Sequence, residues 1–214
     1  MPKNAEARYG GSMTESDRYI FYGDLNCPFC YALNEQIHDL GVADRVQWRG
    51  IQHMPTLPSP WRSAQAEDVA EMTDEVNRVC ERLPELPIGT PMGRPNSELA
   101  TRTLIAAELI DPSKAVVLRR ALYRGLWVHG QDISSPEVVS RAAAAVGLEG
   151  LTVTTEAIGI AAQWQRDWEQ GGLDGRIPVV VSPRGATALG LNDSRRTLAF
   201  LKSGILSSDS GETC

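Results

Sequence analysis

Two cysteines separated by two residues, Cys27-Pro28-Phe29-Cys30, follow a β-patterned run and constrain this 214-residue chain more than any other feature. The run Arg18-Tyr-Ile-Phe-Tyr-Gly23 has the aromatic and β-branched content of a strand, and the residues after Pro28 carry helical spacing. Cys27 is thereby placed at a strand-to-helix turn. With Pro28 at the first helical position, where its missing N–H costs nothing, Cys27 becomes the N-cap and its sulfur faces the unpaired amides of the first turn. Those amides and the helix dipole favour negative charge, so the thiolate is expected below the free-thiol pKa of about 8.5. A thiolate is the attacking species in disulfide exchange. Cys27 is therefore expected to be the exposed, acidic thiol, and Cys30, one turn into the apolar face, the buried one.

A C-x-x-C pair can also be half of a zinc site, but structural zinc takes its other ligands from a second such pair or a paired-histidine motif. This chain offers only the isolated Cys80, Cys214, His38, His53 and His129, so no metal is expected. Cys80 shares a helical stripe with Met72 and Val76 and reads as a buried, inert thiol. His38 on the helix after the cysteines and His129 near a helix end read as solvent-facing or dipole-complementing residues.

At 42% hydrophobic and 22% charged residues, the chain can bury a sizeable core as one domain or as a domain with an insertion. Its net charge of −6 argues against a nucleic-acid partner, and no lysine- or arginine-rich block suits an anionic membrane surface. No uninterrupted apolar segment is long enough to span a bilayer. Residues 1–17 are polar and Gly-rich and lack the apolar region of a secretory signal, which leads to a cytoplasmic expectation. In that compartment a close cysteine pair is more often catalytic or redox-sensing than structural.

Along the chain, Cys30, Leu33, Ile37 and Leu40 recur at helical spacing and Gly41 supplies the stop, which predicts a helix over 28–40. Residues 45–51 alternate as a strand, and strand, helix and strand joined by short turns make a parallel βαβ unit. From Pro55 to Gly172 the signals are helical with Pro-rich joints. Val69, Met72, Val76, Val79 and Cys80 form one stripe, Ser97 starts a second helix, and Ser113 to Trp127 reads as a third. Ser135-Pro136 starts another that Gly147 closes, and a further helix covers 156–170. Strands return at 178–182 and 186–190, and Asn192 or Asp193 caps a last helix. The expected division is a polar extension at 1–17, an α/β domain in two pieces at 18–54 and 173–206, a helical insertion at 55–172, and a flexible tail at 207–214.

Over roughly 19–206 the chain resembles the DsbA-like thioredoxin superfamily, in particular its cytoplasmic FrnE-like branch. The resemblance rests on Cys27 to Cys30, the Trp48-Arg49 strand, the helix from Asn96 to Glu108, and Gly130-Gln-Asp-Ile-Ser-Ser-Pro-Glu137 before Val146-Gly147-Leu148. It implies an α/β, thioredoxin-like fold split by a large all-helical insertion. Gly175-Arg-Ile-Pro178 looks like the family's cis-proline loop. Carried over residue by residue, Cys27 is the nucleophile, Cys30 the resolving thiol, and Pro28, Phe29, Ile177 and Pro178 the substrate-binding edge.

The implied activity is that of a protein thiol–disulfide oxidoreductase working through a mixed disulfide. It needs no cofactor, and its partners are protein or small-molecule thiols and disulfides, with glutathione or a thioredoxin-type reductant as candidate redox partners. Two alternatives stand beside it. One is the related glutathione-dependent isomerases and kappa-class transferases, in which a serine commonly takes the first cysteine position; the other is a thiol-bearing binding or chaperone module without turnover. The dipeptide departs from the periplasmic family member, because Phe29 replaces a histidine that helps stabilise the thiolate there. Asp24, at the end of the first strand, and His53, beyond the second, are candidate auxiliary residues, since both strands of a parallel pair end at the edge that carries Cys27.

Overall fold

Alternation within Tyr19–Gly23 (β1) sends Tyr19 and Phe21 to one face of a sheet and Ile20 and Tyr22 to the other. The computed structural model describes residues 18–62, 66–173 and 175–204. After β1 come α1 (Pro28–Asp39), β2 (Val46–Gly50), α2 (Ala66–Arg82), α3 (Glu98–Ile110), α4 (Pro112–Trp127), α5 (Pro136–Ala145) and α6 (Thr155–Gln170). The sheet then resumes with β3 (Val179–Val181) and β4 (Thr187–Leu189), and α7 (Ser194–Ser203) follows. The polar extension and tail expected at 1–17 and 207–214, with Cys214, lie outside the described residues.

The four strands lie in the order β2-β1-β3-β4, with β1 and β2 parallel and the other neighbours antiparallel. Phe21 is in register with Trp48 on one side and with Val180, then Ala188, on the other. This row joins the main core with Leu33 and Ile37 of α1, Phe200 and Leu201 of α7, and Leu118 and Leu122 of α4. The opposite face places Tyr22 and Val179 in a smaller cluster with Ile51 and with Trp168 of α6. The five helices between β2 and β3 are the all-helical block, and the strands split around it form the α/β part. Among the described residues no helix is long and apolar enough to cross a membrane.

Strand and helix limits fall within a residue or two of the periodicity, and the caps explain where the helices begin. Asp111, Ser135, Thr154 and Asp193 each accept a first-turn amide hydrogen bond. At α3 the expected cap Ser97 makes no such bond, and Asn96 Oδ1 takes the Glu98 amide at 2.9 Å instead.

Helix α1 differs from a one-sided amphipathic helix. Besides Cys30, Leu33 and Ile37 it buries Asn34, Glu35 and Gln36, while Leu40 is only half-buried. Partners on α4 and around α7 make this possible, because buried polar groups are tolerated when hydrogen-bonded. Arg119 Nε donates to Asn34 Oδ1 at 2.8 Å, and Arg120 and Arg124 each reach the Glu35 carboxylate at 2.9 Å. Gln36 donates to the Asn192 carbonyl at 2.9 Å.

Two single-residue expectations are corrected. Cys80 is half-buried rather than sealed, since α2 leaves its flank open while Met72, Val76 and Val79 face the core. His38 does not face solvent. It is half-buried in the last turn of α1, and burial together with Arg119 and Arg120 holds its pKa down to about 4.

Candidate active site

The chain leaves β1 at Gly23, turns through Asp24, Leu25 and Asn26, and enters α1 with Cys27 at the N-cap (φ −106°, ψ 120°) and Pro28 at the first position. The turn is held from the helical block. Three successive carbonyls accept hydrogen bonds: Asp24 from Tyr123 Oη (3.3 Å), Leu25 from Trp127 Nε1 (2.9 Å), and Asn26 from Arg94 Nη1 (3.0 Å). The Cys27 amide closes the turn on the Asp24 carbonyl at 3.2 Å. Two elements far apart in sequence thus fix the backbone that presents the first sulfur.

Cys27 and Cys30 are unbridged thiols. Cys30 is fully buried behind Gly23, where an added Cβ would come within 3.3 Å of its sulfur and 2.9 Å of the Phe21 ring. The expectation of an exposed Cys27 is corrected in degree. It is only 5% exposed, because Phe29 and the loop before β3 flank it, yet it lines an open cleft of about 260 Å³. Burial works against a Cys27 thiolate, but the Cys30 thiol, the His53 charge and the Cys30 amide outweigh it and bring its pKa below the ordinary value. The Cys27 side chain makes no geometric cap hydrogen bond to the helix, so the Cys30 amide contributes after the neighbouring thiol and the His53 charge. Cys30 behaves oppositely. Burial, then the hydrogen bond and charge of Cys27, push its pKa well up.

Phe29, Ile177 and His53 line the same cleft, with Glu75, Gly175, Arg176, Leu189 and Gly190. The Ile177–Pro178 peptide is cis. Pro28 and Pro178 are buried and do not line the cleft. Asp24 is wholly buried behind His53, and its Oδ2 lies 2.9 Å from His53 Nδ1. Sequence reasoning missed Glu75 and Arg94, which pair at 2.8 Å between α2 and the segment before α3. Glu75 sits in a charged, polar stretch and Arg94 in a Pro- and Gly-containing segment, neither with a motif around it. Arg78, also on α2, lies over the Phe29 ring at 5.4 Å from its centroid. Arg176 stands inside the Gly-Arg-Ile-Pro segment singled out for its proline. Among the described residues no group of three or more His, Cys, Asp or Glu side chains is placed to hold a metal ion.

A mixed sheet whose first parallel strand delivers a C-x-x-C pair to a helix N-terminus, interrupted by a helical block, defines a thioredoxin-like protein. The family model of the DSBA-like thioredoxin domain matches residues 19–165, and the chain belongs to that family. Comparison with curated protein sequences gives no match. Among solved structures, the chain is similar to the cytosolic disulfide reductase DsbM from Pseudomonas aeruginosa, solved with glutathione. That pair shares 17% identity with a TM-score of 0.66, over 87% of this chain and 98% of the other. A structure described as a probable DsbA oxidoreductase from Streptomyces coelicolor has 16% identity and a TM-score of 0.67, over 92% and 93% of the two chains. A 2-hydroxychromene-2-carboxylate isomerase has 15% identity and a TM-score of 0.61, over 87% and 93%. At these identities the likeness is one of fold.

Proposed function

We propose that the chain is a thiol–disulfide oxidoreductase in which Cys27 attacks and Cys30 resolves. The observation that carries this reading is the opposed state of the two sulfurs. One lines a cleft with its thiolate favoured, and the other is sealed one helical turn deeper with its thiol favoured. A substrate disulfide entering the cleft meets Cys27 first. The thiolate forms a mixed disulfide, and Cys30, once deprotonated, displaces the substrate sulfur from Cys27. The sulfurs carry the electrons, so the reaction uses no metal or nucleotide.

Phe29 and Ile177 form the apolar wall against which a substrate segment lies, next to the backbone of the cis-proline loop. Protein disulfides and small thiols such as glutathione both suit an open cleft, and glutathione is the ligand named for the DsbM structure. We place the activity in the cytoplasm, the compartment named for that neighbour. An isomerase or transferase function of the kind named for the hydroxychromene relative is the rival reading; a resolving thiol one turn from the first counts against it.

Exchange assays on the single cysteine variants test the proposal. Cys30→Ser is expected to accumulate a covalent enzyme–substrate complex detectable by mass spectrometry, and Cys27→Ser to lose insulin reduction and dithiol oxidation. Equal residual turnover in the two variants, or glutathione conjugation without disulfide exchange, would reject it.

A further inference from the structure

The two strand ends beside the dithiol bring together a carboxylate and an imidazole. Because β1 and β2 are parallel, with Gly23 in register with Gly50, the chain leaves both at the same edge. Asp24 Oδ2 accepts from the His53 amide at 3.0 Å and meets the ring Nδ1 at 2.9 Å. Its other oxygen accepts from the Asn26 amide at 3.3 Å. With Nδ1 committed to a buried carboxylate, the imidazole is locked in orientation and Nε2 lies on the far side of the ring. His53 lines the cleft with Cys27, and its side chain is 25% exposed, whereas the Asp24 side chain is 0% exposed.

We propose that Asp24 and His53 form the proton and charge device of the dithiol: His53, oriented by Asp24, stabilises the Cys27 thiolate and protonates the sulfur that leaves the substrate. The proposal rests on Cys27 being the nucleophile. In the step, the Cys27 thiolate attacks one sulfur of the substrate disulfide, the Cys27–substrate S–S bond forms, and the substrate's own S–S bond breaks. The bonding pair departs on the second substrate sulfur, which takes the Nε2 proton. A thiolate, an imidazolium and a disulfide become a mixed disulfide, a thiol and a neutral imidazole, so charge and atoms balance.

The surroundings agree with this assignment. Burial opposes protonation of His53, but the hydrogen bond and charge of Asp24, with Cys27, outweigh it and raise its pKa. Asp24 from the end of β1, Cys27 at the start of α1 and Arg94 from the segment before α3 act on the ring, and Glu75 from α2 and Arg176 from the loop before β3 line the cleft with it. Arg94 opposes protonation but is itself paired with Glu75 at 2.8 Å. Asp24 already accepts from two backbone amides, does not line the cleft, and acts through His53; it is a positioning residue. The histidine missing from the Pro28-Phe29 dipeptide is thus replaced in the fold by one delivered from beyond β2.

Thiolate absorbance and imidazole NMR, each followed against pH in the reduced full-length protein, test the coupling from both sides. His53→Gln is expected to raise the Cys27 pKa by about one unit. Cys27→Ala is expected to lower the His53 pKa by the same amount, since coupling between two sites is reciprocal. Asp24→Asn is expected to lower the His53 pKa and raise that of Cys27. Single-turnover reduction supplies the readout that a structural role would not move. His53→Gln should slow attack on glutathione disulfide, whose alkyl thiolate needs a proton, about tenfold more than attack on a nitroaryl disulfide, whose thiolate leaves without one. Equal slowing of both substrates, or unshifted titrations, would overturn the proposal. The Cys27→Ala arm decides alone if the histidine variant does not fold. Full exchange in Cys27→Ser would instead reject the underlying dithiol reading.

Discussion

Cys27 and Cys30 are three residues apart, and that single helical turn separates a sulfur at a cleft from one with no exposed surface. Phe29 between them contributes no charge, and its ring lies under the Arg78 guanidinium. Phe29→His would add a donor beside Cys27 and stabilise the reduced thiolate more than the disulfide. The couple is therefore expected to become more oxidising, by about 30 mV for each pKa unit that Cys27 gains in acidity. Redox titration against glutathione measures it, and an unchanged or lower potential would show that His53 and Cys30 already set the sulfur's environment. The motif and its asymmetry were legible in the sequence because N-cap geometry and helical period are local properties. The near-complete burial of Cys27 was not, because its neighbours come from other elements.

Helix α4 links the core to the site. It presents Arg119, Arg120 and Arg124 to α1, and Tyr123 and Trp127 to the carbonyls of the turn before Cys27. Its N-terminus is capped by Asp111, whose Oδ1 accepts from the Ser113 and Lys114 amides at 3.0 and 3.1 Å. Asp111→Ala is expected to cost about 1 kcal/mol of stability, read as a lower urea midpoint at unchanged slope. Sixteen helical residues put this cap roughly 24 Å from Trp127. The Cys27 titration should therefore not move. A shifted Cys27 pKa in this variant would mean that α4 transmits strain along its length to the turn.

For the molecule as a whole, the pH dependence of stability has a particular source in His38. Burial and the adjacent Arg119 and Arg120 hold its pKa near 4 against an ordinary 6.5, so the folded state favours the neutral ring and the unfolded chain takes the proton first. This contribution is fully present above pH 6.5 and is lost as the pH falls through about 4. Unfolding free energy is expected to decline across that window, and less steeply in His38→Gln; identical slopes would remove His38 as a source. His53 carries the opposite sign. Its raised pKa gives stability present below the ordinary histidine value and lost as the pH rises through the folded one.

Period, caps and turn residues were enough to read the element order, the α/β class and the dithiol, because a strand-to-helix turn, an N-cap and an apolar stripe depend on residues within a few positions of one another. Asp24 and His53 could be named as candidates from their places at strand ends. Their hydrogen bond joins residues 29 apart in sequence and depends on the parallel register of β1 and β2. Glu35 on α1, for which the sequence carried no signal, lies buried because two arginines 85 and 89 residues later close over it. Arg94 and Glu75 carried no local signal at all, and only packing of the helical block against the dithiol turn brings Glu75 to the cleft and Arg94 to the Asn26 carbonyl. Local chemistry is written in short-range order along the chain, whereas the charge around a sulfur is a sum over whatever the tertiary fold places beside it.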